Sequence, residues 1–202
     1  MPETTPELDL DILDYLDQII LDMPTGIYVE SRAAQSAGAA IDLRVNYGDL
    51  LEYFKEMCPL VHAKYYWSLG LREEDTGANR FLRYLGHVGW DTWSSKANDS
   101  RYAKDSEGQL YQTVEDSHIA RYNPKVKLAV DAMVATDKVI SQVILFVRGS
   151  DYIPLIDALQ AKGIRVVCVG WTDRHQGADA LVDLRRLAPG IGTYRKGDQS
   201  DV

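Results

Sequence analysis

Residues 142–170 decide the fold class, and they read QVILFVRGSDYIPLIDALQAKGIRVVCVG. Two continuous apolar runs, 142–147 and 164–169, flank a stretch whose apolar residues recur at helical spacing from Ile153 to Leu159. Fully apolar strands that alternate with helices are typical of a parallel sheet that is covered on both faces. The stretch therefore predicts an α/β fold, a three-layer α/β/α sandwich around a mostly parallel central sheet.

The same alternation continues upstream of this stretch. Apolar and aromatic runs predict strands at residues 26–30 and 60–67. Amphipathic spacing predicts helices at residues 49–57 and 79–87, and another that opens at Pro124. Two segments are expected to have no regular structure. Residues 31–40 are rich in Ala, Ser and Gly and are predicted to form a loop, and the polar residues 94–118 are predicted to form a long loop or arm.

The N-terminal segment differs from the rest of the chain in charge. Residues 1–22 hold seven carboxylates and no basic residue, so they account for most of the net charge of −8. Residues 8–21 have the apolar spacing of an amphipathic helix. One interpretation is a helix that packs on the domain with a solvated acidic face. The alternatives are an acidic lid over a basic groove and a docking element for a protein partner.

Length and composition restrict the class of protein. The 202 residues predict an acidic N-terminal extension at 1–23, one domain at 24–187 and a flexible tail at 188–202. No apolar run is as long as a membrane span, which needs about 20 residues, so we expect no membrane association. The two cysteines predict buried free thiols and a cytoplasmic location. A homo-oligomer is compatible with the sequence.

Three carboxylates follow or flank the predicted apolar strands. Glu30 ends the first strand, Asp151 follows strand 142–147, and Asp131 lies on the helix before that strand. Because ligands of an open parallel sheet bind beyond the carboxyl ends of its strands, we expect Glu30 and Asp151 at one edge. Oxygen ligands there suit Mg²⁺ or Mn²⁺. Each acid also has a structural interpretation, since Asp151 can cap a helix and Asp131 can pair with Lys127.

Several motifs occur in an order and spacing that resemble a known family. They are LAVDA at 128–132, VRGSDYIPL at 147–155, GIRV at 163–166 and ADALVDL at 178–184. Together they resemble the NYN domain family, the LabA-like branch of the PIN-like nucleases, over about residues 24–187. The resemblance implies a PIN-like fold and a ribonuclease whose carboxylates hold Mg²⁺ or Mn²⁺ to activate water. It places Glu30, Asp131 and Asp151 in the catalytic site, with Glu30 and Asp151 as metal ligands.

The chain departs from the family pattern at the acidic positions. Lys125 and Gly149 stand where the family carries aspartates, and Arg148 replaces a glycine. Two lost acids and two gained cations shift the local charge by about +4, which disfavours a divalent cation. The same change favours a phosphate group, which Lys125, Arg148 and Ser150 would bind.

Three hypotheses about function follow. The first is a catalytically impaired pseudonuclease that binds RNA, a nucleotide or a protein partner in a regulatory role. The second is an active Mg²⁺-dependent ribonuclease that uses Glu30, Asp131 and Asp151, with help from an acid such as Glu115 or Asp116. The third is a structural or interaction protein in which the acidic helix and the arm act and the strand-end site is inert.

Overall fold

The structure is a computed structural model that describes residues 10–71, 76–96, 102–104, 110–112, 123–136, 139–170 and 177–194. Its strands are β1 (Thr25–Glu30), β2 (Leu43–Val45), β3 (Leu60–Leu71), β4 (Asp91–Lys96), β5 (Tyr102–Lys104), β6 (Leu110–Gln112), β7 (Gln142–Phe146), β8 (Arg165–Gly170), β9 (Ala180–Asp183) and β10 (Gly192–Tyr194). Its helices are α1 (Leu10–Asp17), α2 (Ser31–Ala40), α3 (Tyr47–Met57), α4 (Thr76–His87), α5 (Pro124–Ala135), α6 (Ile153–Ala161) and α7 (Leu184–Ile191). A 3₁₀ turn at Ser150–Tyr152 precedes α6.

Six of the strands form one central sheet in the order β4-β3-β1-β7-β8-β9. Every neighbouring pair in it is parallel. The chain builds outward from β1 through β3 to β4, then crosses to the other side of β1 and builds outward again from β7 to β9. The strand order therefore reverses between β1 and β7, which is where open α/β sheets bind ligands. The predicted three-layer sandwich with a parallel sheet is confirmed.

Helices cover both faces of this sheet. Ile27 and Ile144 face a hydrophobic cluster to which α1, α2, α3, α4 and α7 contribute. Tyr28 and Leu145 face the second cluster, to which α5 and α6 contribute. Strands β1 and β7 are buried along their whole length, because both of their faces are covered.

Helix α2 corrects the loop that was predicted for residues 31–40. Its buried face is made of small residues, among them Ala33, Ala34 and Ala37. Alanine is the strongest helix former, and small side chains let a helix lie close to its neighbours. Gly38 shows how close the packing is, since a Cβ atom on it would lie 2.6 Å from the carbonyl oxygen of Leu43. The prediction of a loop was wrong because small residues were taken as a sign of irregular structure, although alanine favours a helix.

Helix α5 buries a different face from its most regular apolar stripe. Leu128 and Ala132 are fully buried, whereas Val126, Val130 and Val134 are about half exposed. The helix is apolar on most of its circumference, so periodicity did not determine which side would meet the sheet. The side with alanines meets it, because it allows close approach to β1 and β3.

The predicted arm at 94–118 and the predicted tail at 188–202 are partly described. Strand β4 extends to Lys96, and β5 pairs with β6 in an antiparallel ladder, so the arm contains regular structure. The rest of 94–118 lies outside the described residues. The predicted tail starts too early, because Ala188 and Ile191 are buried in α7, and β10 pairs with β2. Residues 195–202 lie outside the described residues.

Helix α1 is part of the core, which supports the packed-helix interpretation. Ile12, Leu16 and Ile20 are buried in the cluster shared with α3 and α7. Farther along, the buried Gln142 holds Leu21 by hydrogen bonds of 3.2 Å to both its N–H and its carbonyl oxygen. Helix α1 lies on the sheet face opposite α5, so Asp11, Asp14 and Asp17 do not cover the lysines of α5. Tyr15 of α1 instead packs against Arg186 of α7, 5.0 Å from the ring centre, and the acidic lid over a basic groove stays a prediction.

The state of the two cysteines and the lengths of the helices can be compared with the expectations from composition. Cys58 and Cys168 are buried free thiols, as predicted, and burial raises the pKa of Cys168 to about 12. Within the described ranges, every helix is too short or too polar to cross a lipid bilayer.

We predict that Leu16→Ala lowers the free energy of unfolding by about 2–5 kcal/mol, because it leaves a cavity in a packed core. Leu10→Ala is the matched control on the same helix, since Leu10 is 74% exposed and Leu16 is fully buried. Urea unfolding followed by circular dichroism measures both variants. Equal stability of the two variants would show that α1 does not belong to the cooperative core.

Candidate functional site

The candidate site lies where β1 and β7 end side by side. These two strands are hydrogen-bonded neighbours, and Val29 is in register with Phe146. Glu30 is the last residue of β1, and the turn from Val147 to Tyr152 leaves β7 at the same edge. The structure therefore confirms that Glu30 and Asp151 lie beyond the carboxyl ends of neighbouring strands.

Glu30 is a helix cap as well as a strand end. The residue is 3% exposed, and its carboxylate accepts hydrogen bonds from the N–H groups of Arg32 (3.3 Å) and Ala33 (3.0 Å). These amides are among those that the first turn of α2 leaves without an intrahelical partner. The buried charge is thus compensated by the helix terminus. The sequence did not reveal this role because the helix itself was missed.

Asp151 forms an ion pair with Lys125. The Lys125 Nζ atom lies 2.5 Å from Asp151 Oδ2 and 5.9 Å from the centre of the Tyr152 ring. Lys125 is held there because it starts α5, which Asn123 caps through the Lys125 N–H. The predicted capping role of Asp151 is wrong, since no side chain caps the 3₁₀ turn or α6. Instead, the Asp151 carboxylate accepts a hydrogen bond from the Lys125 ammonium group.

Asp131 is bound by three groups and is 15% exposed. Lys127 donates to Oδ1 at 2.5 Å, Tyr66 donates to Oδ2 at 2.8 Å, and Lys64 lies 3.5 Å from Oδ2. The predicted pair with Lys127 is confirmed, whereas the partners on β3 were missed. Lys64 and Tyr66 are two residues apart on β3, so their side chains lie on the same face of the sheet, which is the face that α5 covers.

The pKa of Asp131 reflects this environment. Burial alone would raise it, but the hydrogen bonds from Lys127 and Tyr66 and the charge of Lys64 outweigh burial, and the net pKa is lowered. The pKa of Tyr66 is raised, first by burial and then by its bond to Asp131. Asp131 is therefore held ionised, and it links α5 to the sheet.

The turn after β7 carries the other predicted ligands. Arg148 is exposed and donates a hydrogen bond to the Ser36 hydroxyl on α2, a partner that the sequence did not suggest. Gly149 has φ +95° and ψ 162°, a conformation that is essentially restricted to glycine. An aspartate at this position would therefore strain the backbone. Ser150 then opens the 3₁₀ turn.

Tyr152 lies beneath this turn and is almost fully buried. Its hydroxyl has no hydrogen-bond partner among the described residues. Its pKa is raised, first by burial and then by the negative charges of Glu30 and Asp151. The phenol is therefore a neutral donor close to the strand-end carboxylates.

These residues do not fit a divalent metal ion. In the part of the chain that the structure describes, no three His, Cys, Asp or Glu residues are grouped as a metal site would require. Each carboxylate is already engaged: Glu30 by amides, Asp131 by Lys127 and Tyr66, and Asp151 by Lys125. Glu115 and Asp116, which were considered as additional acids, lie outside the described residues.

Comparisons with known proteins agree with this fold. The NYN domain family matches residues 24–186 of the chain. A crystal structure of a protein of unknown function from Vibrio parahaemolyticus is similar, with a TM-score of 0.58 and 18% sequence identity. The similarity covers 85% of this chain and 97% of that chain. No curated protein matches the chain significantly.

We predict that Asp131→Asn lowers the free energy of unfolding at pH 7 by about 1.5–3 kcal/mol, the usual range for a hydrogen bond to a charged group. The folded-state pKa of Asp131 is lowered, so its stabilisation is complete above the unfolded-state pKa of about 3.9. It is lost as the pH falls through the folded-state pKa.

Urea unfolding at a series of pH values measures this effect. The difference between the wild type and Asp131→Asn should be largest near neutral pH and shrink in acid. Asp157→Asn, at an exposed position of α6, is the control and should change stability little. A difference that is independent of pH would show that the charge of Asp131 contributes nothing.

Proposed function

The chain belongs to the NYN domain family, and from this premise we propose that it is a catalytically impaired PIN-like nuclease that binds RNA phosphate groups at the ends of β1 and β7. The proposal rests on one observation, that the strand-end carboxylates are engaged by groups of the chain itself. A PIN-like nuclease needs its carboxylates to hold the metal ions that activate water and stabilise the leaving oxygen.

The three carboxylates differ in how firmly they are engaged. Glu30 is buried and caps α2, and Asp131 is largely buried with three partners. Releasing either carboxylate for a metal would leave amides or lysines without their partners, at a cost of about 1–3 kcal/mol for each group. Asp151 is the exception, because its side chain is 64% exposed and its pair with Lys125 lies on the surface. Such a pair is weak, so Lys125 acts mainly through its charge.

The charge of Lys125 opposes a metal ion even when the pair opens. A dication about 4 Å from an ammonium group is repelled by about 8 kcal/mol at an effective dielectric of 20. The repulsion falls as the lysine swings into water, but Asp151 is then a single exposed carboxylate. One such carboxylate supplies too few oxygen ligands to hold Mg²⁺ without the substrate.

The same residues suit a phosphate group. Arg148 has five N–H donors and uses one toward Ser36. Lys125, on α5, is partly exposed and contacts Asp151 of the same turn. Two cations at one strand-end edge are typical surroundings of a bound phosphate oxygen.

We predict negligible cleavage of a 5′-labelled single-stranded RNA by the purified protein with either Mg²⁺ or Mn²⁺. A time course resolved on a denaturing gel measures this. Robust cleavage that disappears in Asp151→Asn would contradict the proposal and establish the active-ribonuclease hypothesis. Cleavage that persists in Asp151→Asn would indicate a contaminating nuclease.

We predict that replacing both Lys125 and Arg148 with alanine weakens RNA binding about tenfold or more at low salt, because two phosphate contacts are lost. Fluorescence anisotropy with the same RNA gives the dissociation constants. In the matched control, alanine replaces Arg44 and Lys55, two exposed cations on β2 and α3. The two double variants therefore have the same net charge. Equal loss in both variants would mean that RNA senses only net charge, and no binding by the wild type would favour the structural hypothesis.

A further inference from the structure

A second concave surface lies at the edge of the sheet, away from the ends of β1 and β7. It is a groove of about 700 Å³ between α4 and β4, lined by Asn79, Leu82, Arg83, Gly86, His87, Thr92 and Ser94. Its volume falls within the usual range of about 300–1,000 Å³ for ligand sites. We refer to it as the α4–β4 groove.

The wall formed by α4 extends past the sheet. The five lining residues of this helix recur at helical spacing and share one face, of which Leu82 is buried, while Arg83, Gly86 and His87 are exposed. Thr92 and Ser94 alternate along β4 and face the same helix, whereas Trp93 packs on the opposite sheet face near Tyr66. Helix α4 therefore lies over the outermost strand and also over the space beside it.

Strand β4 is the edge of the sheet on this side. It pairs with β3, and no strand in the described ranges pairs with its outer side. Alternate residues of its six thus present N–H and C=O groups outward, next to the groove, while the others face β3. A backbone in extended conformation can pair with such an edge and place alternate side chains under the neighbouring helix.

The charge of the groove selects the occupant. Helix α4 carries Arg80, Arg83 and His87 and no carboxylate, and no acid lines the groove. In the sequence, Glu73, Glu74 and Asp75 precede α4, and Asp91 begins β4. The Asp91 carboxylate lies 3.4 Å from the Lys64 ammonium group on β3. A second copy of this chain would bring its own cationic α4 against this one, which disfavours pairing between two β4 edges.

From the open strand edge and the cationic helix beside it, we infer that the α4–β4 groove binds an extended acidic peptide segment of a partner protein as an additional β-strand. The peptide backbone pairs with β4, and its carboxylates contact Arg83 and His87. The acidic side chains would alternate with residues that face away from α4. This site is independent of the strand-end site, so either can be absent without the other.

The test uses the full chain and a fluorescein-labelled heptapeptide that alternates Glu and Val. Gly86→Leu fills the groove, because the Cβ position of Gly86 faces open space and its backbone is helical. Gly77→Leu is the matched control, since Gly77 lies on the same helix with open space and does not line the groove. Both changes favour the helix intrinsically, so loss of folding does not confound the comparison.

We expect the peptide to bind the wild type and Gly77→Leu equally, and Gly86→Leu and Arg83→Glu about tenfold or more weakly. A peptide with Lys in place of Glu, or one that is N-methylated at alternate amides, should bind at least about tenfold more weakly, because the charge or the backbone pairing is removed.

Three outcomes would overturn the inference. The first is equal affinity of Gly86→Leu and Gly77→Leu, or no binding of the peptide to the wild type. The second is displacement of the peptide by single-stranded RNA whose own binding is lost in Gly86→Leu, which makes the groove a nucleic-acid site. The third is a dimer in sedimentation velocity that Gly86→Leu dissociates, which makes a second copy the occupant.

Discussion

The parallel pairing of β1 with β7 is the constraint on which the rest of the structure depends. Both strands are buried on both faces, so their polar ends can be satisfied only at the edge where they emerge. That edge brings together Glu30, the turn after β7 and the start of α5. The helices that begin there supply the compensating groups, since α2 offers its first amides and α5 offers Lys125.

The compensation is local and differs in strength from one charge to the next. Glu30 and Asp131 are shielded from water, so their hydrogen bonds contribute to the position of α2 and α5 on the sheet. Arg148 and Asp151 are exposed and Lys125 is partly exposed, so water screens their charges and the side chains move at little cost. The two buried acids therefore stabilise the positions of α2 and α5 on the sheet, whereas the charges at the surface contribute little to stability.

Much of this architecture could be predicted from the sequence, because continuous apolar strands and their order along the chain specify a doubly wound sheet. The strand-end location of Glu30 and Asp151 followed from the same reasoning. The loop predicted at 31–40 was wrong because a helix of small residues lacks an apolar stripe. The partners Ser36, Tyr66 and Lys64 could not be predicted, since their contacts depend on how far α2 and α5 lie from β1 and β3.

The distribution of charge explains why the net charge of the chain says little about its partners. The carboxylates of α1 project from a helix whose other side is buried on the face opposite α5. They are therefore separated by the sheet from Lys125 and Lys127, and screening weakens their effect beyond about 10 Å. The electrostatic potential at each surface is therefore set mainly by the charges within about 10 Å of it. Lys125 and Arg148 at the strand ends and Arg80 and Arg83 on α4 are local basic residues in a protein whose total charge is −8.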